Sequence, residues 1–268
     1  MYEAFFNFTH TPFQRDIPPN ALYITQPLKA LQSRLSHGVN NRQFLVVSGD
    51  AGCGKTTAIR HFMSGLDANR TVALYVSEFN LTPRNFYFDL LNQLGVKPHF
   101  YRGDAKRQLV KEIRSLSDDH KLPVIIIDEA HLCDMEMLTE IRFLLNFDMD
   151  SRSPMALILC GQSEIRDILK KQVYEAISQR VDLRCFIPPL DRSQIVEYIA
   201  AHLEYAAGGP HAEIFTDAAV TAIFDFSAGL PRKINRLASL CLMHAAQTNK
   251  RIIDDHMVAL IVEGELSW

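Results

Sequence analysis

The sequence has almost no excess of charge of either sign. Among its 268 residues, 28 are Lys or Arg and 31 are Asp or Glu, so the formal net charge is -3. This balance excludes a basic field over the whole surface that would attract nucleic acid. Any nucleic-acid binding must therefore come from a local basic surface or from many subunits acting together.

Paired cysteines and long hydrophobic runs are also missing. The five cysteines form no CxxC pair, which favours reduced core thiols over a metal site or disulfides; they are Cys53, Cys133, Cys160, Cys185 and Cys241. No stretch approaches the roughly 20 apolar residues that cross a bilayer. The start of the chain lacks the basic and then apolar order of a signal peptide. We therefore expect no membrane partner and a cytoplasmic location.

The sequence does contain an alternation of short apolar runs and helical patterns. The runs QFLVVSG, TVALYVS, PVIIID and MALILCG are apolar on both faces, and helical segments such as QPLKALQSRLSHGV, which Gly38 is expected to end, lie between them. Strands of this kind are typical of a parallel sheet covered by helices on both faces. After Pro189 only helical patterns follow. We predict an extended N-terminal strap at 1–20, an α/β core at 21–189 and a small all-helical lid at 190–268.

The stretch GDAGCGKT matches the phosphate-binding pattern G-x-x-x-x-G-K-[ST] between a predicted strand and a predicted helix. Its glycines let backbone N–H groups face a phosphate, and the helix start adds a positive dipole end. Lys55 is expected to reach the β and γ phosphates, and the Thr56 hydroxyl to ligate Mg²⁺. The predicted nucleotide contacts are Gly49, Asp50, Ala51, Gly52, Cys53, Gly54, Lys55, Thr56 and Thr57, with Tyr23 at the edge of the adenine pocket. A glycine-rich turn without a ligand is the alternative.

A second acidic stretch, VIIIDEAH, follows later in the chain. An apolar strand that ends in a carboxylate suits the metal of a phosphate-loop site, so Asp128 is expected to hold Mg²⁺. Glu129 is then placed to orient or deprotonate the attacking water. These residues predict a hydrolase, with ATP preferred over GTP because no guanine-reading N-K-x-D occurs. A buried strand with two acids at its end is the alternative.

Three further polar residues lie where a nucleotide switch would use them. Gln162 follows the strand LILCG, Arg180 ends a helix before the last strand, and Arg232 lies in the first turn of a helix that begins at Pro231. A basic residue at a helix start is unfavourable unless an anion is near, so Arg232 is interpreted as functional. A solvent-facing loop amide for Gln162 and an ordinary helix C-terminus for Arg180 stay open as alternatives.

This order of parts resembles the AAA+ ATPases. The resemblance implies a P-loop NTPase (AAA+) core, sensor 1 at Gln162, an arginine finger given to a neighbouring subunit at Arg180, and sensor 2 at Arg232. The stretches MYEAFFNFTHTPF, NLTPRNFYFDLLNQLG, IDEAHL and GLPRKINRL are similar to the ExeA-type branch of that family, which is itself similar to the transposition regulators TnsC and MuB. A DEAH helicase would need a second RecA-like domain, and the helical C-terminal pattern offers no strands for one.

The resemblance implies an ATP-dependent homo-oligomer, a ring or a helical filament, that binds double-stranded DNA, selects a target and recruits a transposase. Hydrolysis would drive its disassembly. An ATPase that energises a secretion or cell-envelope complex, and a nucleotide-gated scaffold that hardly hydrolyses, are the alternatives. DNA contacts are expected in two segments with basic and aromatic residues: Asn80, Thr82, Arg84, Lys97, Tyr101, Arg102 and Lys106. A solvated amphipathic helix is the other interpretation of these segments.

Overall fold

The structure is a computed structural model that describes residues 2–77, 81–145 and 153–265. Asn80, one of the expected DNA contacts, lies outside the described residues. The chain forms two compact units, which we call the sheet unit and the helical unit. The sheet unit is Pro27–Gly49 and Lys55–Ile187, and the helical unit is Met1–Gln26, Asp50–Gly54 and Pro188–Trp268.

The sheet unit is built on a five-stranded parallel sheet in the order β2-β3-β4-β1-β5. The strands are β1 (Phe44–Gly49), β2 (Thr71–Val76), β3 (Leu122–Ile127), β4 (Ala156–Gly161) and β5 (Leu183–Ile187). All residues of β1, β3 and β4 are buried, because the central strands of a parallel sheet have helices on both faces. The predicted parallel sheet is confirmed.

Helices cover both faces of this sheet. They are α2 (Gln26–Asn40), α3 (Lys55–Ser64), α4 (Pro83–Gln93), α5 (Arg102–Asp118), α6 (Met135–Leu144), α7 (Glu164–Lys170) and α8 (Glu175–Ser178). Alternate residues of β3 enter opposite cores: Ile125 and Ile127 pack with α4, α5 and α6, whereas Val124 and Ile126 pack with α2 and α3. Period-2 alternation along a strand produces this division.

Gly38 does not end its helix, contrary to the expectation, because α2 continues to Asn40. Gly38 is buried, and a Cβ atom at this position would lie 2.6–3.0 Å from side-chain atoms of Leu45 on β1. The glycine is therefore needed for the close approach of α2 to the sheet and not for a turn.

The C-terminal part of the helical unit contains α9 (Arg192–Ala207), α10 (Asp217–Ser227), α11 (Pro231–Gln247) and α12 (Asp255–Glu265). Local sequence sets its helix ends. A capping box between Asp191 and Gln194 begins α9, a left-handed Gly208 ends it, and Pro231 occupies the first turn of α11. Within the described residues, the β-structure of this unit is one bridge between Phe215 and Ile253. The predicted all-helical lid is confirmed.

The N-terminal segment differs from the expected extended strap, since Tyr2–Phe6 forms a short helix, α1, and Pro19–Ala21 a 3-10 turn. Tyr2 and Phe6 lie four residues apart on one face of α1 and pack against the apolar cluster of the lid helices. Phe8 and Phe13 are buried in the same cluster. Tertiary packing of aromatic side chains thus stabilises a helix that local sequence did not indicate. In the described part of the chain, no helix is long and apolar enough to span a bilayer.

Candidate nucleotide site

The predicted phosphate loop, Asp50–Gly54, follows the last residue of β1 and precedes the first residue of α3. Gly52 and Gly54 have φ values of +83° and +98°, which side-chain-bearing residues rarely adopt. Within the loop, the Cys53 N–H donates to the Asp50 carbonyl at 3.1 Å. Left-handed glycines directly before a helix start are typical of backbone that binds anions.

Lys55, the first residue of α3, is buried. Its Nζ donates to the Gly49 carbonyl at 2.9 Å. A buried ammonium group is stabilised by negative charge, and phosphate oxygens are a suitable source of it. The position of Lys55 therefore agrees with the phosphate-binding role that the sequence predicts.

Asp128 directly follows β3 and is 4% exposed. One of its carboxylate oxygens, Oδ2, accepts from Thr56 Oγ1 at 2.9 Å and from the Tyr75 hydroxyl at 2.8 Å. The other oxygen, Oδ1, accepts from the Glu129 N–H at 2.8 Å. A carboxylate beside a threonine hydroxyl is the hard oxygen donor set that Mg²⁺ prefers, so Thr56 and Asp128 fit this metal.

Tyr75 is a site residue that the sequence reasoning missed. Burial, followed by the hydrogen bond to Asp128, raises the pKa of Tyr75 well above its usual value of 10. Its hydroxyl therefore stays protonated and donates to Asp128. In the sequence, Tyr75 is a hydroxyl-bearing side chain near the end of the mostly apolar β2, but its hydrogen-bond partner could not be predicted.

Glu129 has an unusual backbone conformation, with φ of +52° and ψ of +32°. A residue with a side chain in this left-handed region stores about 1–3 kcal/mol of strain, and such residues cluster at functional sites. The Glu129 side chain is 43% exposed, so water can reach its carboxylate. This exposure suits the predicted role in activating water.

His131 lies close to both Glu129 and Gln162. Its Nδ1 lies 3.5 Å from Glu129 Oε2 and accepts from the Gln162 N–H at 3.3 Å. The structure thus brings the predicted base and the predicted sensor 1 to the same imidazole. His131 belongs to the IDEAHL stretch, but no sequence pattern predicted a role for it.

Arg180 lies between α8 and β5, where the sequence placed it. Its Nη1 donates to the Arg142 carbonyl at 3.1 Å, near the end of α6. Its role as an arginine finger given to a neighbouring subunit stays a prediction.

Arg232 and Tyr23 belong to the helical unit together with the phosphate loop. The Arg232 N–H, in the first turn of α11, donates to the Gly52 carbonyl at 3.2 Å. The Tyr23 hydroxyl donates to Glu197, and its ring meets the Tyr198 ring edge-on at 6.2 Å. Burial, followed by the bond to Glu197, raises the pKa of Tyr23 to about 12. Arg232 thus contacts the phosphate loop, while Tyr23 contacts α9.

The expected DNA contacts of the sheet unit have different surroundings. Thr82 caps α4 by accepting from the Asn85 N–H at 3.3 Å. The Arg84 guanidinium lies 4.7 Å from the centre of the Phe100 ring, next to Tyr101. Phe100 and Tyr101 are about 70% exposed, at 70% and 71%. Arg84 and Lys97 are exposed as well. Arg84, Lys97 and Tyr101 therefore lie at the surface.

Arg102 and Lys106 instead form ion pairs with buried Glu140 of α6, at 2.5 and 2.6 Å. The Tyr87 hydroxyl of α4 also donates to Glu140. Burial alone would raise the pKa of Glu140, but these three hydrogen bonds outweigh burial and lower it. The two basic residues thus join α5 to α6, a structural role that the sequence did not reveal.

Residues 39–169 match a family model described as "AAA domain". The whole chain is similar to General secretion pathway protein A of Aeromonas hydrophila, with 27% identity over 276 residues, covering 98% of this chain and 49% of that protein. An uncharacterized HTH-type transcriptional regulator of Methanocaldococcus jannaschii is 28% identical over 173 residues, covering 63% of this chain and 42% of its own length. The chain thus spans about half or less of the curated relatives it matches.

Solved structures with the same fold include Drosophila ORC bound to DNA, with a TM-score of 0.74 and 17% identity over 96% of this chain and 64% of that one. The Aeropyrum pernix ORC1 protein in complex with DNA has a TM-score of 0.67 and 16% identity, covering 92% and 66%. The Thermotoga maritima RuvB Holliday junction branch migration motor has a TM-score of 0.53 and 16% identity, covering 90% and 69%. The chain therefore shares the fold of these proteins, a five-stranded parallel sheet covered by helices and followed in the chain by an all-helical region.

Proposed function

We propose that this chain binds ATP with Mg²⁺ and hydrolyses it to ADP and phosphate. The observation that carries the proposal is the hydrogen bond between Thr56 and Asp128, flanked in sequence by buried Lys55 and exposed Glu129. Lys55 binds phosphate oxygens, while Thr56 and Asp128 hold Mg²⁺, which supplies positive charge to the phosphates. These residue types together provide what phosphoryl transfer to water requires.

Glu129 accepts a proton from the attacking water in this proposal. The water oxygen forms a bond to the γ phosphorus, the bond from that phosphorus to the bridging oxygen breaks, and ADP leaves with the electron pair. Arg232, whose backbone binds the phosphate loop, keeps the sensor 2 role, and Gln162 the sensor 1 role. Arg180 completes the site of a neighbouring subunit.

The finer proposal is that ATP-bound subunits assemble as a ring or a helical filament on double-stranded DNA, where they select a target and recruit a transposase. Hydrolysis then favours disassembly, because the two nucleotide states differ in affinity for the oligomer. The sequence resemblance supports this proposal, as do two relatives of the same fold whose structures contain DNA. The exposed Arg84, Lys97 and Tyr101 supply a few DNA contacts per subunit. Because many subunits repeat these contacts, the oligomer binds DNA although the net charge of each chain is -3.

A second function, an ATPase that energises a secretion complex, is favoured by the similarity to General secretion pathway protein A over 98% of the chain. In that case the nucleotide chemistry is the same, but the chain binds a protein of the envelope complex and is indifferent to DNA.

The test compares DNA binding and ATP hydrolysis in the same preparations. Linear duplex DNA is mixed with protein and ATPγS or ADP at two salt concentrations, and binding is measured by fluorescence anisotropy and electron microscopy. The variant Arg84→Ala/Lys97→Ala is matched by Lys170→Ala/Lys171→Ala, which removes the same charge from exposed positions near the end of α7.

We expect assemblies on DNA that depend on ATPγS and are sensitive to salt. Each lost phosphate contact reduces the slope of log K against log salt concentration by about 1. We therefore expect Arg84→Ala/Lys97→Ala to reduce this slope by about 2 and the matched variant to leave it unchanged. ATP hydrolysis without DNA binding in any state would reject the DNA proposal and favour the secretion function.

A further inference from the structure

Tyr75 and Thr56 share one oxygen of Asp128, although they come from distant parts of the chain. Both hydroxyls donate to Asp128 Oδ2, at 2.8 and 2.9 Å, while the Glu129 N–H donates to Oδ1. An ionised carboxylate has about four acceptor positions, and these bonds use three of them. Donors on both oxygens prevent the carboxylate from rotating about its Cβ–Cγ bond, so the oxygen that faces Thr56 is fixed.

Gln93 of α4 holds Tyr75 in place on the edge strand β2. The Tyr75 N–H donates to Gln93 Oε1 at 3.0 Å, and Gln93 Nε2 donates to the Tyr75 carbonyl at 2.9 Å. These two backbone groups lie on the open edge of β2, where a neighbouring strand would otherwise be needed to pair them. The Gln93 amide replaces that strand. The backbone position of Tyr75, and therefore the direction of its hydroxyl, is set from outside the sheet.

We propose that Tyr75 is a positioning residue of the Mg²⁺ site, which orients the Asp128 carboxylate through its hydroxyl and is itself held by Gln93. This inference rests on the proposed function, because it concerns the metal of the same nucleotide site. Residues that hydrogen-bond to a metal ligand orient that ligand and tune its affinity for the metal. Tyr75 touches neither substrate nor metal in this role and acts only through Asp128.

The direct test is the Mg²⁺ dependence of ATP-analogue binding. Binding of a fluorescent, slowly hydrolysed ATP analogue is titrated against Mg²⁺ for the wild type and for Tyr75→Phe, which removes one oxygen atom. The matched control is Tyr87→Phe, which removes a buried hydroxyl bonded to a different carboxylate, Glu140. Melting temperatures of all the proteins identify any variant that fails to fold.

We expect Tyr75→Phe to raise the half-saturating Mg²⁺ concentration about tenfold and to leave binding in the presence of EDTA unchanged. Tyr87→Phe should change the half-saturating concentration less than about twofold. Gln93→Leu keeps the hydroxyl but loses both bonds to the Tyr75 backbone, so it should shift the Mg²⁺ requirement in the same direction by a smaller factor.

Two outcomes separate this inference from the proposed function. If the wild type binds the analogue in a Mg²⁺-dependent way and Tyr75→Phe behaves within about twofold of it, the role of Tyr75 is wrong and the ATP site stands. If the wild type binds no analogue at any Mg²⁺ concentration, the proposed function and the inference both fail.

Discussion

His202 should make the free energy of unfolding depend on pH between about 4 and 6.5. Its side chain, in α9, is 3% exposed, and its Nδ1 accepts from the Phe13 N–H at 3.2 Å. The rings of Phe13 and Tyr198 lie against it, with centroid distances of 5.0 and 4.5 Å. A nitrogen that accepts from an N–H carries no proton, so the folded protein holds His202 neutral, with its proton on Nε2.

The sign and size of the effect follow from the pKa. Burial lowers the pKa of His202 from 6.5 to about 4. As pH falls, the unfolded chain therefore takes up a proton at this residue before the folded one does. The stabilising contribution is fully present above pH 6.5 and is lost as pH falls toward 4. At about 1.4 kcal/mol per pH unit, this gives a total of about 3 kcal/mol, of which about 2 kcal/mol is lost between pH 7 and 4.5.

The variant His202→Asn isolates this contribution, because its Oδ1 can still accept from the Phe13 N–H but the side chain does not titrate. Urea unfolding is measured at several pH values from 7.5 to 4.5 for both proteins. Over this pH range, the free energy of unfolding of the wild type should fall by about 2 kcal/mol more than that of the variant. Carboxylates that titrate in the same range are common to both proteins and cancel in the difference.

Equal pH dependence in the two proteins, within about 0.5 kcal/mol, would refute the reasoning. NMR titration of the His202 ring protons gives an independent check, since their chemical shift should stay that of a neutral imidazole down to about pH 5. A midpoint near 6.5 in the folded protein would show that burial does not hold this imidazole neutral.

Two further substitutions test the nucleotide site. Glu129→Gln should lower phosphate release at least about 100-fold while ATP-analogue binding is retained, because only the proton acceptor is lost; loss of binding and turnover in equal measure would contradict a role as base. Gly52→Ala should weaken analogue binding and lower the melting temperature more than Gly54→Ala. Both positions have positive φ, but only a Cβ at Gly52 would lie 2.9 Å from Arg232 Cβ. Equal effects of the two substitutions would show that the close contact between Gly52 and Arg232 affects neither analogue binding nor stability.

The sheet and the phosphate loop could be predicted because their signals are local. The run PVIII before Asp128 is apolar at every position, which is typical of a strand buried on both faces, and the glycine spacing of GDAGCGKT is set by backbone conformation. The predicted roles of Thr56, Asp128 and Glu129 rest on these local signals. The structure places the Thr56 hydroxyl and the Asp128 carboxylate within hydrogen-bond distance.

What the sequence could not reveal depends on which distant residues meet. Nothing near Arg102 or Lys106 indicates that Glu140, from the next helix, neutralises both of them. The sequence predicts that Gly38 ends a helix, whereas in the structure the Leu45 side chain occupies the space that a Cβ at Gly38 would need. Helix α1 depends on packing against the lid helices. In each case a contact across the fold overrides the local preference.

Asp128 links the proposed metal site to the proposed base. Its Oδ2 accepts from Thr56 and Tyr75, and its Oδ1 accepts the N–H of Glu129, the residue with the left-handed backbone. A strained conformation persists only where neighbouring bonds hold it, and this N–H bond is one of them. Any change in the orientation of the Asp128 carboxylate therefore acts on the backbone that aims Glu129. The proposed metal ligands Thr56 and Asp128 and the proposed base Glu129 therefore belong to one hydrogen-bonded unit. Tyr75 contributes to this unit from β2, a strand that carries neither the metal ligands nor the base.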